Sequence, residues 1–571
     1  MQLTPLSQQD VWARVSLSAE DIYLFGTMIT GFWLIGAGLA LTYRRIKKRN
    51  GLFKPPQVIT MNCFRDILQK GGSAVDAAIA ALLCTSIINP QCAGIGGGVI
   101  FTVMDSSGKV KIINSRETVP RNVNSDLLKL CRKTTEQTTE CKWIGVPGEI
   151  RGYEAAHRLY GKLPWADLFQ PTIKLAREGF PIPYYQANNE CFSFISLSLS
   201  FRKLYLDKNG NLLKTGDTVK FEKLADTLEM IANEGPDVFY NGTIAKNLIS
   251  DIQDAGGKLT LEDLALYQAN VTDAWNISLE EYRMYFPPPP AGGAILSLIL
   301  NIMKGYKMNS EPKTTDEKIL FYHRYIEALK FANGLKKHIR DPNFSSDKNL
   351  TEDSFANHIR SLISSDKTHD PQYYGKNSYL DSIGTTHVSV LAEDGSAVSV
   401  TSSINDEFGS NVLSSSTGII LNNHLNDFCG SFSFPLSPNR VLSCYSRSLL
   451  YFSGERPPSN MAPSVLKSPS KTLVIGGSGA EMIPPAVASA LMNHLWFGKS
   501  LKEAIITPVV LVDSKSEVKP EPKLEKDVVD GLEAKGHKIA KFYNTVNAVE
   551  KAGNCISAWS DERKKGKAAG Y

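Results

Sequence analysis

The sequence has no cysteine pattern of the kind that builds metal or redox sites. Its nine cysteines are spread from Cys63 to Cys555, without a CxxC pair and without a cluster of cysteine and histidine. Zinc sites and thioredoxin-like centres depend on such close spacings. The sequence therefore predicts neither a metal ion nor a thioredoxin-like centre.

Net charge is also scarce. The 571 residues carry 63 Lys and Arg against 58 Asp and Glu, a formal charge of only +5. Nucleic-acid binders usually have a denser basic surface, so we expect no nucleic-acid partner. With 42% hydrophobic and 21% charged residues, the chain lies outside the disordered range and predicts a globular protein with a large core.

Residues 22–42, IYLFGTMITGFWLIGAGLALT, contain no charged side chain. At about 1.5 Å per residue, such a helix crosses a hydrocarbon layer of about 30 Å, which predicts a transmembrane anchor after a tail of residues 1–21. Two alternatives stay open. A buried core helix would be unusual without a polar face, and a cleaved signal peptide would need a small-residue cleavage pattern, which does not follow.

The flanking charges and the glycosylation sequons indicate opposite orientations for this anchor. Five basic residues lie between Arg44 and Arg49, whereas Arg14 alone precedes the helix, so the positive-inside rule puts the large C-terminal part in the cytosol. Sequons of the form N-x-S/T are used only in the secretory lumen and indicate the other side. They begin at Asn241, Asn270, Asn276, Asn343 and Asn349.

Residues 73–88, SAVDAAIAALLCTSII, predict a buried helix that ends at Asn89-Pro90. The glycine-rich stretch 93–98 then leads into a strand, turn and strand pattern. A dinucleotide-binding loop does not fit, because Gly94-x-Gly96 has no third glycine at position 99 and is followed by a strand. Close approach of backbones is the better explanation of these glycines.

Residues 143–350 are predicted to be mostly helical with short breaks, and the proline run 287–290 forms a stiff corner that leads into the apolar helix AILSLILNIMKGY. The polar segment 343–382 is rich in Ser, Asp and Lys and predicts exposed, mobile chain. The residues that point to chemistry begin where this segment ends.

From Thr385 onward, THVSVLAEDGSAVSVTSSIN alternates apolar and polar residues around Glu393-Asp394-Gly395, which predicts a hairpin with Thr385 at the start of a central strand. Attack of the Thr385 hydroxyl on the preceding peptide bond would cleave the chain after Gly384. The new α-amine, with a pKa near 8, could then act as base for the hydroxyl. The alternative is a β-branched residue that merely suits a strand.

Several motifs occur in an order that resembles one known family. The chain is similar to the gamma-glutamyltransferases (glutathione hydrolases) over residues 71–571 or so. The proline corner, PPPPAGGAILS, most resembles the vertebrate branch that cleaves leukotriene C4. The other matching motifs are INSRETVP, GVPGEIRGYEAAH, LPWADLFQPTI, GTTHVSVLAEDGSAVSVTSSIN, GIILNN and SDERKKGKAAGY.

The resemblance implies an α+β fold, the four-layer αββα sandwich of N-terminal-nucleophile hydrolases. It also implies self-cleavage into a large subunit, 43–384, and a small subunit, 385–571, which stay together as a heterodimer. No cofactor is implied. Family members place the catalytic part outside the cell, so the resemblance favours a single-pass type II protein of the plasma membrane, anchored by residues 22–42.

The resemblance also assigns a pocket for the glutamyl group. Arg116 matches the arginine that grips the substrate α-carboxylate, and a planar guanidinium suits bidentate binding of a carboxylate. A surface arginine paired with Glu117 is the alternative. Ser459 matches the first of two serines that hold the same carboxylate. Asn405 and Asp427 match groups that hold the α-ammonium.

The catalytic residues implied by the resemblance start with Thr385 as nucleophile. Ser403 falls where the family usually has a threonine that hydrogen-bonds to the nucleophile. Gly479 and Ala480 fall on the paired glycines whose backbone N–H groups form the oxyanion hole. A glycine-rich turn between a strand and a helix is the structural alternative, and both can hold together.

The chain departs from the family pattern at four positions. His424 stands where a glutamate usually contacts the substrate ammonium, which predicts weaker recognition of the glutamyl group. Asn460 replaces the second serine of the carboxylate clamp and can still donate through its amide. The methyl group of Ala480 matters only if this residue needs a positive φ or lies against the substrate. Cys63 is displaced from the usual disulfide position, so its pairing with Cys84 stays open.

The expected reaction is attack of Thr385 on the γ-carbonyl of glutathione or a glutathione S-conjugate such as leukotriene C4. The γ-glutamyl ester would then pass to water or to an acceptor amino acid or dipeptide. A catalytically impaired pseudoenzyme, cleaved or uncleaved, that serves as a membrane-bound binding or structural protein is the alternative. A peptide-release assay separates the two.

Overall fold

The computed structural model describes residues 56–123, 127, 131, 141–183, 199–308, 310–344, 348–375, 384–431, 452–513, 515–539, 545–553 and 555–561. These residues belong to one compact unit of the chain, Pro55–Tyr571. The predicted anchor, 22–42, lies outside the described residues, so its prediction stays untested. None of the helices in the described part is long and apolar enough to span a bilayer.

The elements are numbered in chain order. The helices are α1 (Pro56–Gln69), α2 (Ala74–Ile88), α3 (Glu149–Tyr160), α4 (Trp165–Glu178), α5 (Leu199–Leu204), α6 (Glu222–Glu234), α7 (Asp237–Tyr240), α8 (Thr243–Asp254), α9 (Leu261–Ala265), α10 (Gly293–Lys304), α11 (Thr315–Leu335), α12 (Asp353–Leu362), α13 (Pro371–Tyr374), α14 (Ile483–Leu491), α15 (Leu501–Ile506) and α16 (Lys526–Ala534). The strands are β1 (Gly98–Met104), β2 (Val110–Ser115), β3 (Phe180–Pro181), β4 (Thr218–Val219), β5 (Asn270–Asp273), β6 (Trp275–Leu279), β7 (Tyr282–Phe286), β8 (Gly384–Leu391), β9 (Ala397–Asn405), β10 (Ser464–Lys467), β11 (Lys471–Ser478), β12 (Val510–Val512), β13 (Val518–Pro520), β14 (Thr545–Ala552) and β15 (Cys555–Ser560).

Two antiparallel sheets form the centre. The first has five strands in the order β5-β2-β1-β9-β8, and the second has six in the order β15-β14-β11-β10-β7-β6. The hairpin predicted from Thr385 onward is the β8–β9 pair, in which Thr385 lies opposite Ser403. Its turn is closed by Asp394, whose Oδ1 accepts a hydrogen bond from the backbone N–H of Ser396 at 3.0 Å.

Alternation along the strands explains the layers, because successive side chains point to opposite faces of a sheet. On β1, Phe101 and Val103 join a buried cluster with α2, α4 and α6. Met104 instead packs with Val465 and Val474 of the second sheet. The far face of that sheet packs on α10, α11 and α14. The order helix, sheet, sheet, helix confirms the α+β sandwich.

The predicted buried helix of residues 73–88 is α2. Ser73 is its N-cap, and a capping box joins Ser73 to Asp76. Oγ of Ser73 accepts from the Asp76 N–H at 3.0 Å, while Oδ2 of Asp76 accepts from the Ser73 N–H at 2.9 Å. This exchange satisfies amides that a helix start leaves unpaired. The helix ends before Asn89, as Pro90 requires.

Two sequence-based expectations were wrong in part. Residues 143–350 are not helical throughout, because β5, β6 and β7 occupy 270–286 and join both sheets. The segment 343–382 is not simply exposed chain. Its described residues include α12, which buries Ala356 and Ile359 against the helices that pack on the second sheet. An amphipathic helix can therefore lie within a polar stretch.

Two disulfides join described residues. Cys63 bonds to Cys84, which closes the pairing left open by the sequence. The bond between Cys131 and Cys429 was not expected from the sequence. The bond ties Cys131, which lies between β2 and α3 in the chain, to the short 3-10 segment His424–Ser431.

Candidate active site

One solvent-open pocket brings together nine of the ten residues that the sequence assigned to the site. The space between its walls, together with the solvent at its open mouth, is about 320 Å³. The tenth, Gly479, directly precedes a lining residue. Met461 and Ile483 add apolar surface to the wall. The predicted residues that line the pocket are Arg116, Thr385, Ser403, Asn405, His424, Asp427, Ser459, Asn460 and Ala480.

Thr385 is the second residue of β8, which is the edge strand of the first sheet, so the prediction that it begins a central strand was wrong. The register of β8 against β9 shifts between Gly384 and Thr385. Oγ1 of Thr385 donates to Oγ of Ser403 at 3.4 Å. The Ser403 hydroxyl in turn donates to the carbonyl oxygen of Gly384 at 2.6 Å. The predicted nucleophile, its hydroxyl partner and the carbonyl of the expected cleavage bond therefore meet at one point.

Asn405, the last residue of β9, has a φ of 81°, in the left-handed region. Asparagine enters this region more easily than most residues. Its backbone N–H donates to Oγ of Ser403 at 2.9 Å, and its Nδ2 donates to the carbonyl of Asn423 at 3.2 Å. The unusual backbone thus holds Ser403 in place and turns the Asn405 amide group into the pocket wall.

Arg116 follows β2 directly and is buried, which excludes the surface arginine considered from the sequence. Nη2 donates to the carbonyl of Pro458 at 3.0 Å and also pairs with Oδ2 of Asp427. Burial raises the pKa of Asp427, against the nearby Arg116 charge, which lowers it. The two side chains predicted to hold the substrate carboxylate and ammonium therefore neutralise each other here.

His424 begins the 3-10 segment that also carries Asp427, and its side chain is buried. Nε2 lies 3.2 Å from Oγ of Ser403. Nδ1 lies 2.8 Å from Oε1 of Glu117, at ion-pair distance but outside hydrogen-bond geometry. Burial lowers the pKa of His424, and the Arg116 charge adds to that effect. The imidazole is therefore neutral near pH 7.

The proline corner supports the opposite wall. The backbone N–H of Ser459 donates to the carbonyl of Pro290 at 2.8 Å, and that of Gly292 donates to the carbonyl of Met461 at 2.9 Å. Oγ of Ser459 accepts from the N–H of Met461 at 3.1 Å. The stiff segment read from the sequence therefore holds Ser459 and Asn460 beside the arginine.

The glycine-rich turn after β11 supplies the remaining wall. Gly479 has a φ of 112° and Ala480 a φ of 53°. Both lie in the left-handed region, which costs a residue with a Cβ about 1–2 kcal/mol. The sequence predicts that the Ala480 methyl group matters under either of two conditions, a positive φ or a position against the substrate. Ala480 has the positive φ and also lines the pocket.

Residues 61–571 match the family model described as gamma-glutamyltranspeptidase. The chain belongs to the gamma-glutamyltranspeptidase family. It is therefore an enzyme of the glutathione hydrolase group, as its sequence motifs indicate.

Relatives over most of the length support this assignment. The chain is 44% identical over 530 residues to glutathione hydrolase 5 proenzyme of Rattus norvegicus, covering 89% of this chain and 90% of that protein. It is 44% identical over 531 residues to the protein of the same name from Homo sapiens, with the same coverage. It is also 36% identical over 526 residues to scoloptoxin SSD14 of Scolopendra dehaani, covering 89% and 90%.

Solved structures match the fold. Cephalosporin acylase from Bacillus halodurans superposes with a TM-score of 0.77 at 24% identity, covering 89% of this chain and 93% of the other. Gamma-glutamyltranspeptidase from Helicobacter pylori superposes with a TM-score of 0.51 at 26% identity, covering 55% and 92%. The first comparison shows the fold alone.

The sequence predicted no role in the site for one buried polar residue beside the pocket. Glu117 was considered only as an ion-pair partner of Arg116, yet it is fully buried behind His424. Its position next to Arg116 in the motif INSRETVP was the available signal. Met461 and Ile483 carried no signal, because single apolar residues near a site are usually core residues.

His323, Glu327 and His537 place three ligand-type atoms close enough to hold a metal ion. The atoms around them favour a hydrogen-bonded network instead. Nδ1 of His323 lies 2.8 Å from Nε2 of His537, and Nζ of Lys330 lies 3.1 Å from Nδ1 of His537. A lysine ammonium at that distance would repel a cation.

Proposed function

We propose that the chain cuts itself before Thr385 and then cleaves the γ-glutamyl bond of glutathione and of glutathione S-conjugates, including leukotriene C4. One observation carries the proposal. Thr385 and Ser403 share a pocket with the Arg116–Asp427 pair, so a nucleophile and an amino-acid-binding pair face the same space.

The charges suit the α-amino-acid end of a γ-glutamyl group. An α-carboxylate and an α-ammonium are held on one carbon, as Arg116 and Asp427 are held beside each other in the pocket. The substrate replaces this internal pair by two new ones, with its carboxylate on Arg116 and its ammonium on Asp427. Ser459 and Asn460 then also bind the substrate carboxylate, and Asn405 binds the substrate ammonium.

In the cut protein, Oγ1 of Thr385 attacks the γ-carbonyl carbon, and the α-amine of Thr385 takes the hydroxyl proton. The backbone N–H groups of Gly479 and Ala480 face the developing oxyanion. The cysteinylglycine part leaves with that proton, and a γ-glutamyl ester remains on Thr385. Water or an acceptor amino acid then resolves the ester.

The preference for S-conjugates is supported by the resemblance to the leukotriene C4-cleaving branch and by the glutathione hydrolase 5 relatives. We expect release of the γ-glutamyl group from both glutathione and leukotriene C4 with one preparation. If the preparation cleaves glutathione but does not cleave leukotriene C4, the proposal holds for glutathione and fails for leukotriene C4.

Replacement of Thr385 tests the proposal. We expect Thr385→Ala to stay as one chain and to release no product, while Thr385→Ser cuts and turns over more slowly. Thr386→Ala, a change in the neighbouring threonine, is the matched control and should cut and turn over. N-terminal sequencing of the small fragment must begin at Thr385. Another start, or efficient cutting of Thr385→Ala, contradicts the proposal.

The same assay decides the pseudoenzyme alternative, which Ala480 favours because its methyl group lies in a strained turn of the pocket wall. Cutting before Thr385 without product from either substrate would support a binding or structural protein.

For location, we propose a type II plasma-membrane protein with residues 22–42 as anchor and the described unit outside the cell. Two disulfides support an oxidising compartment. All five sequon asparagines are exposed in the described residues, as glycosylation requires.

A further inference from the structure

A buried pair of titratable groups, His424 in the pocket wall and Glu117 behind it, is not used by the proposed turnover. Nδ1 of His424 is 2.8 Å from Oε1 of Glu117, and the two side chains are 1% and 0% exposed. The opposite ring nitrogen, Nε2, is 3.2 Å from Oγ of Ser403, which in turn is 3.4 Å from Oγ1 of Thr385. A carboxylate, an imidazole and two hydroxyls thus follow one another toward the nucleophile.

Before cleavage, Thr385 lacks the base that it has afterwards. Its nitrogen is then the amide of the Gly384–Thr385 bond, and an amide nitrogen does not accept a proton near neutral pH. The Thr385 hydroxyl must still lose its proton as it attacks the Gly384 carbonyl carbon. Self-cleavage therefore needs a proton acceptor from another residue.

We infer that the Glu117–His424 pair accepts this proton through Ser403, an inference that rests on the proposed cleavage before Thr385. As Oγ1 of Thr385 bonds to the carbonyl carbon of Gly384, its proton passes to Oγ of Ser403 and the Ser403 proton passes to Nε2 of His424. The resulting imidazolium lies against the Glu117 carboxylate, which stabilises the new positive charge.

The return of the proton completes the step. When the carbon–nitrogen bond breaks, His424 gives its proton back through Ser403 to the Thr385 nitrogen, which becomes a free amine. Gly384 is then held as an ester on Thr385. Water hydrolyses this ester, with its hydroxyl going to the Gly384 carbon and its remaining hydrogen to Oγ1 of Thr385.

Ser403 lies where it can act on both the Gly384 carbonyl and the His424 ring. Its hydroxyl donates to the Gly384 carbonyl oxygen at 2.6 Å, which polarises the carbonyl under attack. Rotation of this hydrogen toward Nε2 of His424 opens the proton path. The Asn405 N–H donates to Oγ of Ser403 at 2.9 Å and fixes the oxygen while the hydrogen turns.

The charged groups that face His424 are Glu117, Arg116 and Asp427. Burial is the largest influence and lowers the pKa of His424, Arg116 lowers it further, and the two carboxylates oppose them. When the hydrogen of the neutral ring is on Nδ1, the nitrogen nearer to Glu117, Nε2 is left as the acceptor. We therefore expect self-cleavage to be independent of pH near neutrality and to slow in acid as His424 gains a proton.

Rates of self-cleavage in freshly produced full chains test the inference. We expect His424→Gln to slow cleavage by roughly 100-fold or more, the range of general-base effects, and to abolish the slowing in acid. His424→Gly opens the ring's place to the pocket, so added imidazole should speed its cleavage at least about tenfold. His387→Gln, which removes another buried imidazole from β8, is the matched control and should keep the pH profile of the parent.

Glu117→Gln is a second variant that keeps the shape of the side chain. Because Glu117 raises the pKa of His424, we expect slower cleavage and an acid limb displaced to lower pH. The inference is wrong if His424→Gln cleaves within a few-fold of the parent with the same pH profile. It is also wrong if folded His424→Gly stays slow in imidazole and Glu117→Gln keeps the acid limb of the parent. A parent chain that is never cut at Thr385 contradicts the proposed function itself.

Discussion

At the scale of single residues, Arg116 offers the most direct test of substrate binding. Nη2 of its guanidinium donates to the Pro458 carbonyl and pairs with Oδ2 of Asp427. A lysine keeps the charge but not the paired donors. We expect Arg116→Lys to raise KM for the γ-glutamyl donor roughly 10- to 100-fold, as loss of a charged hydrogen bond worth about 1.5–3 kcal/mol requires, with a smaller change in kcat.

The control for this prediction is Arg456→Lys. Arg456 is also buried, but its Nη2 donates to the carbonyl of Gln268 and it does not line the pocket. Steady-state kinetics of both variants should separate binding from folding. Equal KM values for Arg116→Lys and the parent would show that the carboxylate binds elsewhere.

Ala480 is one of the described residues that combine a left-handed backbone with a side chain, and unlike Asn405 it has no polar group that eases this conformation. We expect Ala480→Gly to raise the free energy of unfolding by roughly 0.5–1 kcal/mol, the part of the strain left after the greater freedom of glycine in the unfolded chain is subtracted. Denaturant midpoints in the uncut Thr385→Ala background measure this for a single species.

Ala486→Gly, in the helix α14, is the opposite case. Its backbone is helical, so glycine should destabilise the protein by about 1 kcal/mol. If both glycine variants lower the midpoint, the Ala480 backbone is not strained.

At the scale of elements, the buried network of His323, Lys330 and His537 joins α11 to the segment that follows α16. Burial, and then the Lys330 charge, lower the pKa of His537 to about 2. Burial also lowers the pKa of His323. Below an ordinary histidine pKa of about 6.5, the unfolded chain binds protons that the folded one excludes. This contribution is present at neutral pH and is lost as pH falls.

We therefore expect the free energy of unfolding to decrease between pH 7.5 and pH 5, with His537 contributing up to about 1.4 kcal/mol per pH unit. His537→Gln should flatten this slope, whereas His358→Gln, at an exposed position on α12, should not. Chemical unfolding at several pH values measures both. An unchanged slope in His537→Gln would mean that the histidine is protonated in the folded protein.

At the scale of the whole molecule, the bond between Cys131 and Cys429 spans the proposed cleavage point. After cutting before Thr385, its two sulfurs belong to different fragments. We expect the fragments to run as one band on a non-reducing gel and as two after reduction. Cys429→Ala should give two bands without reduction, while Cys63→Ala, whose partner Cys84 is on the same fragment, should not. Two bands from the parent without reductant would show that the bond is absent.

The sequons test the location. Asn241, Asn270, Asn276, Asn343 and Asn349 are all exposed and precede Thr385. If the described unit is outside the cell, a glycosidase should increase the mobility of the large fragment and leave the small one unchanged. The control is a chain with all five asparagines changed to glutamine. No shift, together with protease protection in intact cells, would favour the cytosolic side indicated by the basic residues 44–49.

The amino-acid sequence determined the parts of this protein that depend on neighbouring residues. The apolar run of α2 with its Ser73 cap and the alternation in β8 and β9 are local patterns, and both elements form as predicted. The motifs also identified the pocket, since their residues meet there. The strands β6 and β7 were missed although Ile277 and Leu279 alternate with polar residues, because each strand has only five residues among helices.

The tertiary structure decided what depends on residues far apart in the chain. Glu117 meets His424 across more than 300 positions, and Cys131 meets Cys429 across 298. No local propensity encodes such pairs, because they form only when the two sheets and their flanking segments pack. The left-handed backbone of Ala480 was likewise set by the turn that closes the pocket wall. Packing at long range therefore determines how the recognised residues act on one another.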